Sequence, residues 1–381
     1  QKILFASELN ALRSQLRLEL NKNNFYHYLR LGVFYRELTP FQHVTEMPAG
    51  SWMTINCQNR RIQSHRWWNI HDFYAQPQQL SFEEALTETN IRLQQSVRRR
   101  LESSDLEVGA FLSGGIDSGL VTAIASNLHP KIKTFTVSFE GAYDEAPLAK
   151  LVAERYQTDH TEIRISFRNL QNDIEKILCN YGEPFFDSSA IPSYYVSQEA
   201  KKYLTVILNG DGADELFAGY RRYVPFARYD FFQSNGFIRT GASLLNKLLP
   251  AAHDKKSTFN FITRLTGLAS KKDLEVYLSA GLDIIEGFEN NIHATEDYLL
   301  PLRTDFRRIN QSQLSGLKKI MNMDFDTNLF SDLLVKMDIA TMAHSLEGRS
   351  PFLGKELLEW VPGLPDAYKI KGGQTKVLLR E

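Results

Sequence analysis

Val108-Gly109-Ala110-Phe111-Leu112 is a short apolar run that leads without a break into Ser113-Gly114-Gly115-Ile116-Asp117-Ser118, and a helical stripe follows to Leu128. Strand, glycine turn and helix in direct succession can cradle an oxyanion. The two glycines permit backbone conformations closed to other residues, so that successive N–H groups turn inward at the positive end of the helix. Ser113 and Ser118 add hydroxyl donors. The loop matches neither GxxxxGK[ST] nor GxGxxG, and taken alone it also reads as an ordinary strand-to-helix turn.

Apolar runs at 132–139, 160–166 and 204–210 read as further strands, and 117–128, 144–156, 170–182 and 192–203 read as helices. Strands alternating with helices predict an α/β fold, a parallel sheet with helices on both faces and its ligand at the carboxyl ends of the strands. One such end is Leu208-Asn209-Gly210-Asp211-Gly212-Ala213-Asp214-Glu215, three carboxylates beside two glycines. A cluster of this kind is costly unless a cation or a substrate proton occupies it; the alternative is an acidic, solvated turn. Asp117 and Asp214 both follow strands and are predicted to meet at the sheet edge. Two carboxylates with phosphate oxygens suit magnesium, which keeps waters and seldom has an all-protein cage.

The 381 residues predict two or three domains at roughly 150 residues each. Ser81 before Phe82-Glu83-Glu84 predicts a capped helix, and the polar stretch Asn69 to Gln79 reads as a domain boundary. Residues 1–70 carry short alternating and aromatic runs, which read as β-rich; beyond Tyr220 helical and aromatic sequence predicts a helical lobe. A net charge of -1 supplies no field to draw in nucleic acid or anionic lipid. No run approaches the ~20 apolar residues of a membrane span, and the amino end lacks a signal pattern, which reads as cytoplasmic. Cys57 and Cys179 have no disulfide or zinc spacing and read as small buried hydrophobes. Arg98 to Arg100 read as the solvated end of a helix, Trp67 and Trp68 as packing, and His160 and His344 as structural.

The order SGGIDS, TFTVSF, EPFFDSSAIPSYYVS, LNGDGADELFAGY, LLVKMDIATMAHSLEGRSPFLG and GGQTKVLLRE resembles the synthetase domain of glutamine-hydrolysing asparagine synthetases from about Phe82 onward. SGGIDS itself resembles the pyrophosphate loop of ATP pyrophosphatases. The resemblance implies an enzyme that adenylates the aspartate side chain with ATP and magnesium, releases pyrophosphate, and lets ammonia, drawn from glutamine, displace AMP. Leu112, Val137, Asn209 and Gly210 match positions around adenosine. Ser113, Gly114, Gly115 and Ser118 match those that hold pyrophosphate, and Asp117 and Asp214 match magnesium ligands. Lys376 matches a lysine that meets the phosphates. Asp211 stands where many relatives have an acid/base carboxylate for the ammonia adduct. Glu347 is placed as a second carboxylate near the acceptor, against the reading that it pairs with Arg349. The family implies a homodimer.

By the same resemblance, residues 1–70 match the last part of an Ntn-type glutaminase domain and 80–381 a synthetase domain that stops early, so truncation is expected at both ends, with Lys376 on a frayed helix. The nucleophilic cysteine that opens the family's glutaminase is absent, since residue 1 is Gln. Two other functions stay open: an amidotransferase or cyclase of the family acting on another carboxylate, in a surface-polysaccharide sugar or a peptide, and a non-catalytic scaffold.

Overall fold

The computed structural model describes residues 3–139, 145–165, 170–227, 236–248, 266–267, 269–271, 274–280 and 297–381. Asp144 and Ser166, read above as part of a helix and of a strand, lie outside them, as do 228–235, 249–265, 268, 272–273 and 281–296 of the expected helical lobe.

The strands β3 (Val108–Phe111), β4 (Lys133–Phe139), β5 (Asp159–Ile165), β6 (Val206–Leu208) and β7 (Glu347–Arg349) form one sheet in the order β5-β4-β3-β6-β7. Every pair is parallel, with Ala110 opposite Thr134 and Leu208, and Leu208 opposite Arg349. Successive side chains of a strand face opposite sides. Val206 and Leu208 therefore join Val108, Ala110 and Val121 in one core, while Ile207 joins Phe135, Ile163 and Val196 in another. The first core is covered by α4 (Phe82–Glu102) and α5 (Ile116–Leu128), the second by α8 (Ala190–Ala200). The α4 start forms as expected: Ser81 and Glu84 close a reciprocal capping box. β3, β4 and β5 run outward in chain order, and β6 then returns to the other flank of β3. Between β3 and β6 the direction of winding reverses, which opens the crevice where ligands of such sheets bind.

Residues 1–70 differ from the β-rich expectation. Their described residues hold one antiparallel hairpin, β1 (Ser51–Ile55) with β2 (Ile62–Arg66), and two helices, α1 (Leu9–Arg13) and α2 (Lys22–Leu31). The second helix had its signals in the sequence: the Asn21 side chain accepts from the N–H groups of Asn23 and Asn24, and Gly32 ends it at φ 79°. Aromatic density in this stretch masked that pattern. Another core cluster joins Tyr35, Ile70 and Tyr74 to the helical lobe through Tyr223, Leu302, Leu317 and Met321. Trp68 packs against it, whereas Trp67 is 63% exposed and takes no part. Cys57, in the hairpin turn, and Cys179, on helix Leu170–Asn180, are both exposed rather than buried. No described helix is long and apolar enough to cross a membrane.

Candidate active site

The loops after β3 and β6 approach each other across the reversal point. Gly210 makes this possible: a Cβ there would stand 3.1 Å from both Asp117 Cβ and the Ser118 nitrogen. Within the first loop Ser118 Oγ accepts from the Ser113 N–H at 3.0 Å and lies 2.9 Å from Ser113 Oγ, which accepts from the Gly115 N–H at 3.1 Å. These bonds fix the Ser113–Ser118 turn at the start of α5, whose dipole favours an anion at that end.

Asp117, on the first turn of α5, and Asp214, on α9 (Ala213–Phe217), converge on one cation. Lys376 Nζ lies 2.6 Å from Asp117 Oδ2 and 2.6 Å from Asp214 Oδ1. The lysine is 9% exposed and sits in the left-handed region, φ 53°, just before helix Val377–Arg380. The expected fraying is not seen, because Val377, Leu378 and Leu379 are buried. Burial alone would depress the Lys376 ammonium, but Asp117 and Asp214 outweigh it and hold it above its ordinary value. Burial pushes the Asp117 carboxyl up; Lys376 offsets part of that and Asp214 adds to it. Asp117 Oδ1 is buried with no hydrogen-bond partner among the described residues.

The three carboxylates of the second loop part company. Asp214 joins Lys376. Glu215, wholly buried, turns into the protein, where Tyr220 donates to it at 2.5 Å and Asn328 at 3.0 Å; burial, partly offset by the Tyr220 bond, raises its carboxyl to about 7. Asp211 lines a cavity of about 390 Å³ with Glu46, Asn209, Asp338, Thr341 and Ser350. Burial raises Asp211 to about 6, against the charge of Lys336 and with the charges of Asp117 and Asp214. Asn209 is fixed by Ser350, whose hydroxyl donates to its Oδ1 at 2.6 Å.

Leu112 and Val137 both pack into the cores that flank the sheet. Leu112 is 2% exposed against Ala149 and Ala153, and its N–H donates to the Phe135 carbonyl at 2.8 Å. Val137 packs against the Phe135 and Ile163 cluster.

Glu347 is not brought to this group. It is the first residue of β7, opposite Val206, so it lies toward the amino edge of the sheet while the loops leave the carboxyl edge. Its side chain is 56% exposed, and its carboxylate pairs with Arg349 Nε at 2.7 Å, the ion pair that was the alternative reading. Glu347→Gln is accordingly expected to change pyrophosphate release less than about threefold and melting by no more than a surface substitution of about 0.5 kcal/mol does; kinetics and melting curves of the variant check both.

Two participants escaped the reading of the sequence. Lys336, 8% exposed, pairs with Asp187 at 2.9 Å and sets its charge near Asp211. Gly219 lies so close to Asp214 Oδ1 and Lys376 Cε that a Cβ would overlap both. Its signal was present as the glycine that follows the acidic run. Among the described residues no group of three or more His, Cys, Asp or Glu side chains is placed to hold a metal.

The asparagine synthase family model matches residues 88–381. Asparagine synthetase [glutamine-hydrolyzing] 1 of Bacillus subtilis is 31% identical over an alignment that covers all of this chain and 59% of that protein. A putative asparagine synthetase of Mycobacterium bovis is 32% identical over 76% of this chain and 44% of its own. A second putative enzyme of that name, from Methanocaldococcus jannaschii, is 31% identical over 64% of this chain and 48% of its own. The chain thus spans about half the length of these relatives.

Proposed function

The chain belongs to the asparagine synthase family, and from that premise we propose that it forms an amide at the expense of ATP, adenylating the side-chain carboxylate of aspartate and passing the acyl group to ammonia. The observation that carries this reading is the Lys376 ammonium held between Asp117 and Asp214 at the reversal point of the sheet.

Magnesium fits the residues present. Asp117 Oδ1 is a buried, unpartnered carboxylate oxygen beside a second carboxylate, and a hard cation completed by phosphate oxygens and water takes such donors. Asp117 and Asp214 would hold the ion, which supplies charge to offset the phosphates and polarise the α-phosphorus. The Ser113–Ser118 turn and the α5 N-terminus receive the departing pyrophosphate, whose negative charge they favour. Lys376 lies where charge builds on the phosphates and stabilises it in the transition state. The aspartate carboxylate attacks the α-phosphorus and gives β-aspartyl-AMP. Ammonia then adds to the acyl carbon and loses a proton to Asp211 as AMP departs. Asn209 and Gly210, at the end of β6, border the nucleotide.

Asp211 acts as a base only when ionised, so the pH dependence follows from its raised value. Amide formation at constant free ammonia is expected to fall as pH drops below about 6 and to level off above it. Asp211→Asn is expected to remove that limb and slow the reaction about 10²–10⁴-fold. A carboxyl raised in the folded state loses stability as pH climbs through its folded value, so the same variant is expected to melt higher at pH 7. An unchanged acid limb in Asp211→Asn would remove the base assignment.

The acceptor is tested by following pyrophosphate from ATP, magnesium and ammonia with a panel of carboxylic acids. Release that depends on aspartate supports the reading. Release that depends only on a sugar acid or a peptide carboxylate would transfer the function to another acceptor.

A further inference from the structure

Lys376 belongs to a turn whose base is a second, wholly buried lysine, Lys369. Its Nζ donates to the Pro362 carbonyl at 3.2 Å and to the Leu364 carbonyl at 3.4 Å. These are among the last carbonyls of the short helical turn Val361–Gly363, which lack partners within the turn and carry partial negative charge. The turn is itself fixed. Val361 and Leu364 are buried in the same core as Phe217, Leu378 and Leu379, and the Gly363 carbonyl accepts from the Gln78 N–H at 3.0 Å and from Lys318 Nζ at 3.3 Å.

The backbone of Lys369 holds the other end. Its carbonyl accepts from the Val377 N–H at 3.1 Å, and Lys371 and Gln374 exchange backbone bonds at 3.0 and 2.9 Å, so that 369–377 closes as a hairpin. Lys376 precedes the closing bond and stands at φ 53°, a left-handed conformation that persists only where its surroundings impose it. Three bonds impose it: Val377 N–H to the Lys369 carbonyl, Leu379 N–H to the Lys376 carbonyl at 3.0 Å, and Arg380 Nε to the Thr375 carbonyl at 2.8 Å. Of these, only the first reaches beyond residues 375–381. Burying an ammonium is expensive: burial, with the charge of Lys318 adding to it and that of Asp366 opposing, brings Lys369 down to about 7. Apolar side chains of similar volume often fill such sites without loss of stability. What the amine contributes is direction, since two bonds from one nitrogen set where the hairpin leaves the core.

We propose that Lys369 is a positioning residue for Lys376: through the 369–377 hairpin it sets the Lys376 ammonium between Asp117 and Asp214. The proposal rests on the adenylation reading only for its effect on rate, so the first test does not use activity. Trace acetylation of the full chain with acetic anhydride, read by mass spectrometry, compares Lys376 with Lys355, whose side chain is 68% exposed. Only the free amine reacts, and Asp117 and Asp214 hold Lys376 protonated. In Lys369→Met, which keeps the length and removes the amine, Lys376 is expected to label about tenfold faster relative to Lys355, the change that one pKa unit makes in the free amine. Lys369→Gln, which keeps an N–H donor on a shorter side chain, is the second variant and is expected to fall between; melting curves show which variants fold, and those that do decide. The second test is a double-mutant cycle on pyrophosphate release. Lys369→Met is expected to lower kcat about tenfold or more with KM for ATP within about threefold, but to cost less than about twofold in a Lys376→Ala background. A lysine with a merely structural role would cost rate in both backgrounds. Unchanged labelling of Lys376 in the folded variants, or an equal loss of kcat in the two backgrounds, would overturn the proposal. Absence of pyrophosphate release from the unaltered protein would remove the adenylation reading instead, and the labelling comparison would still decide this one.

Discussion

Lys376→Ala is expected to lower pyrophosphate release about 10²–10³-fold, the magnitude typical of removing one group aimed at transition-state charge. Lys376 is 9% exposed, and its ammonium lies 2.6 Å from each of two carboxylates. Little water screens it, so its electrostatic effect is larger than that of a surface lysine. The loss should appear mainly in kcat, because charge on the phosphates grows as the α-phosphorus is attacked. Lys376→Arg keeps the charge, but a planar guanidinium replaces a compact ammonium between Asp117 and Asp214; an intermediate rate is expected. A rise in KM for ATP with kcat unchanged would reduce Lys376 to a ground-state contact.

Gly219→Ala is expected to be almost as damaging, although residue 219 carries no functional group. Its Cβ would overlap Asp214 Oδ1 and Lys376 Cε and stand 2.8 Å from Asp214 Cγ. Asp214 is held on the short α9, whose C-terminal backbone returns through the Gly219 N–H to the Asp214 carbonyl at 2.9 Å. That bond fixes the approach, so the side chains must yield. Overpacking of this kind costs about 1–3 kcal/mol, and displacing the carboxylate and the ammonium by even an ångström is expected to lower kcat about 10²-fold. Melting curves and pyrophosphate release read the two effects separately. A Gly219→Ala protein with full activity would show that the Asp214–Lys376 contact is not required.

The part of the fold that carries the site was legible because its signals are local. Val108–Leu112 runs straight into its glycine turn, and LNGDGADE follows β6 directly, so strand, turn and acidic group could each be placed from neighbouring residues. What depends on distant contacts was not. β7 has three residues and becomes a strand only by pairing with β6, with Arg349 anchored on the Arg100 carbonyl and Ser103. Glu347 was placed near the acceptor by resemblance alone, and the register sends it to the other edge of the sheet. The three acidic residues of DGADE look equivalent in the sequence. The short α9 and its buried neighbours assign one to the lysine, one to the cavity and one to Tyr220. Cys57 and Cys179 followed the average burial of cysteine rather than their own surroundings, a hairpin turn and the exposed face of a helix.

Adenylation itself is tested most directly by incubating the purified protein with ATP, magnesium, labelled pyrophosphate and each candidate acid, and measuring label returned to ATP. The account predicts exchange that requires aspartate, forms AMP once ammonia is added, and falls by orders of magnitude in Asp117→Asn and Asp214→Asn proteins that still melt cooperatively. Acid-dependent formation of ADP and phosphate in place of exchange, or exchange that survives both substitutions, would contradict it.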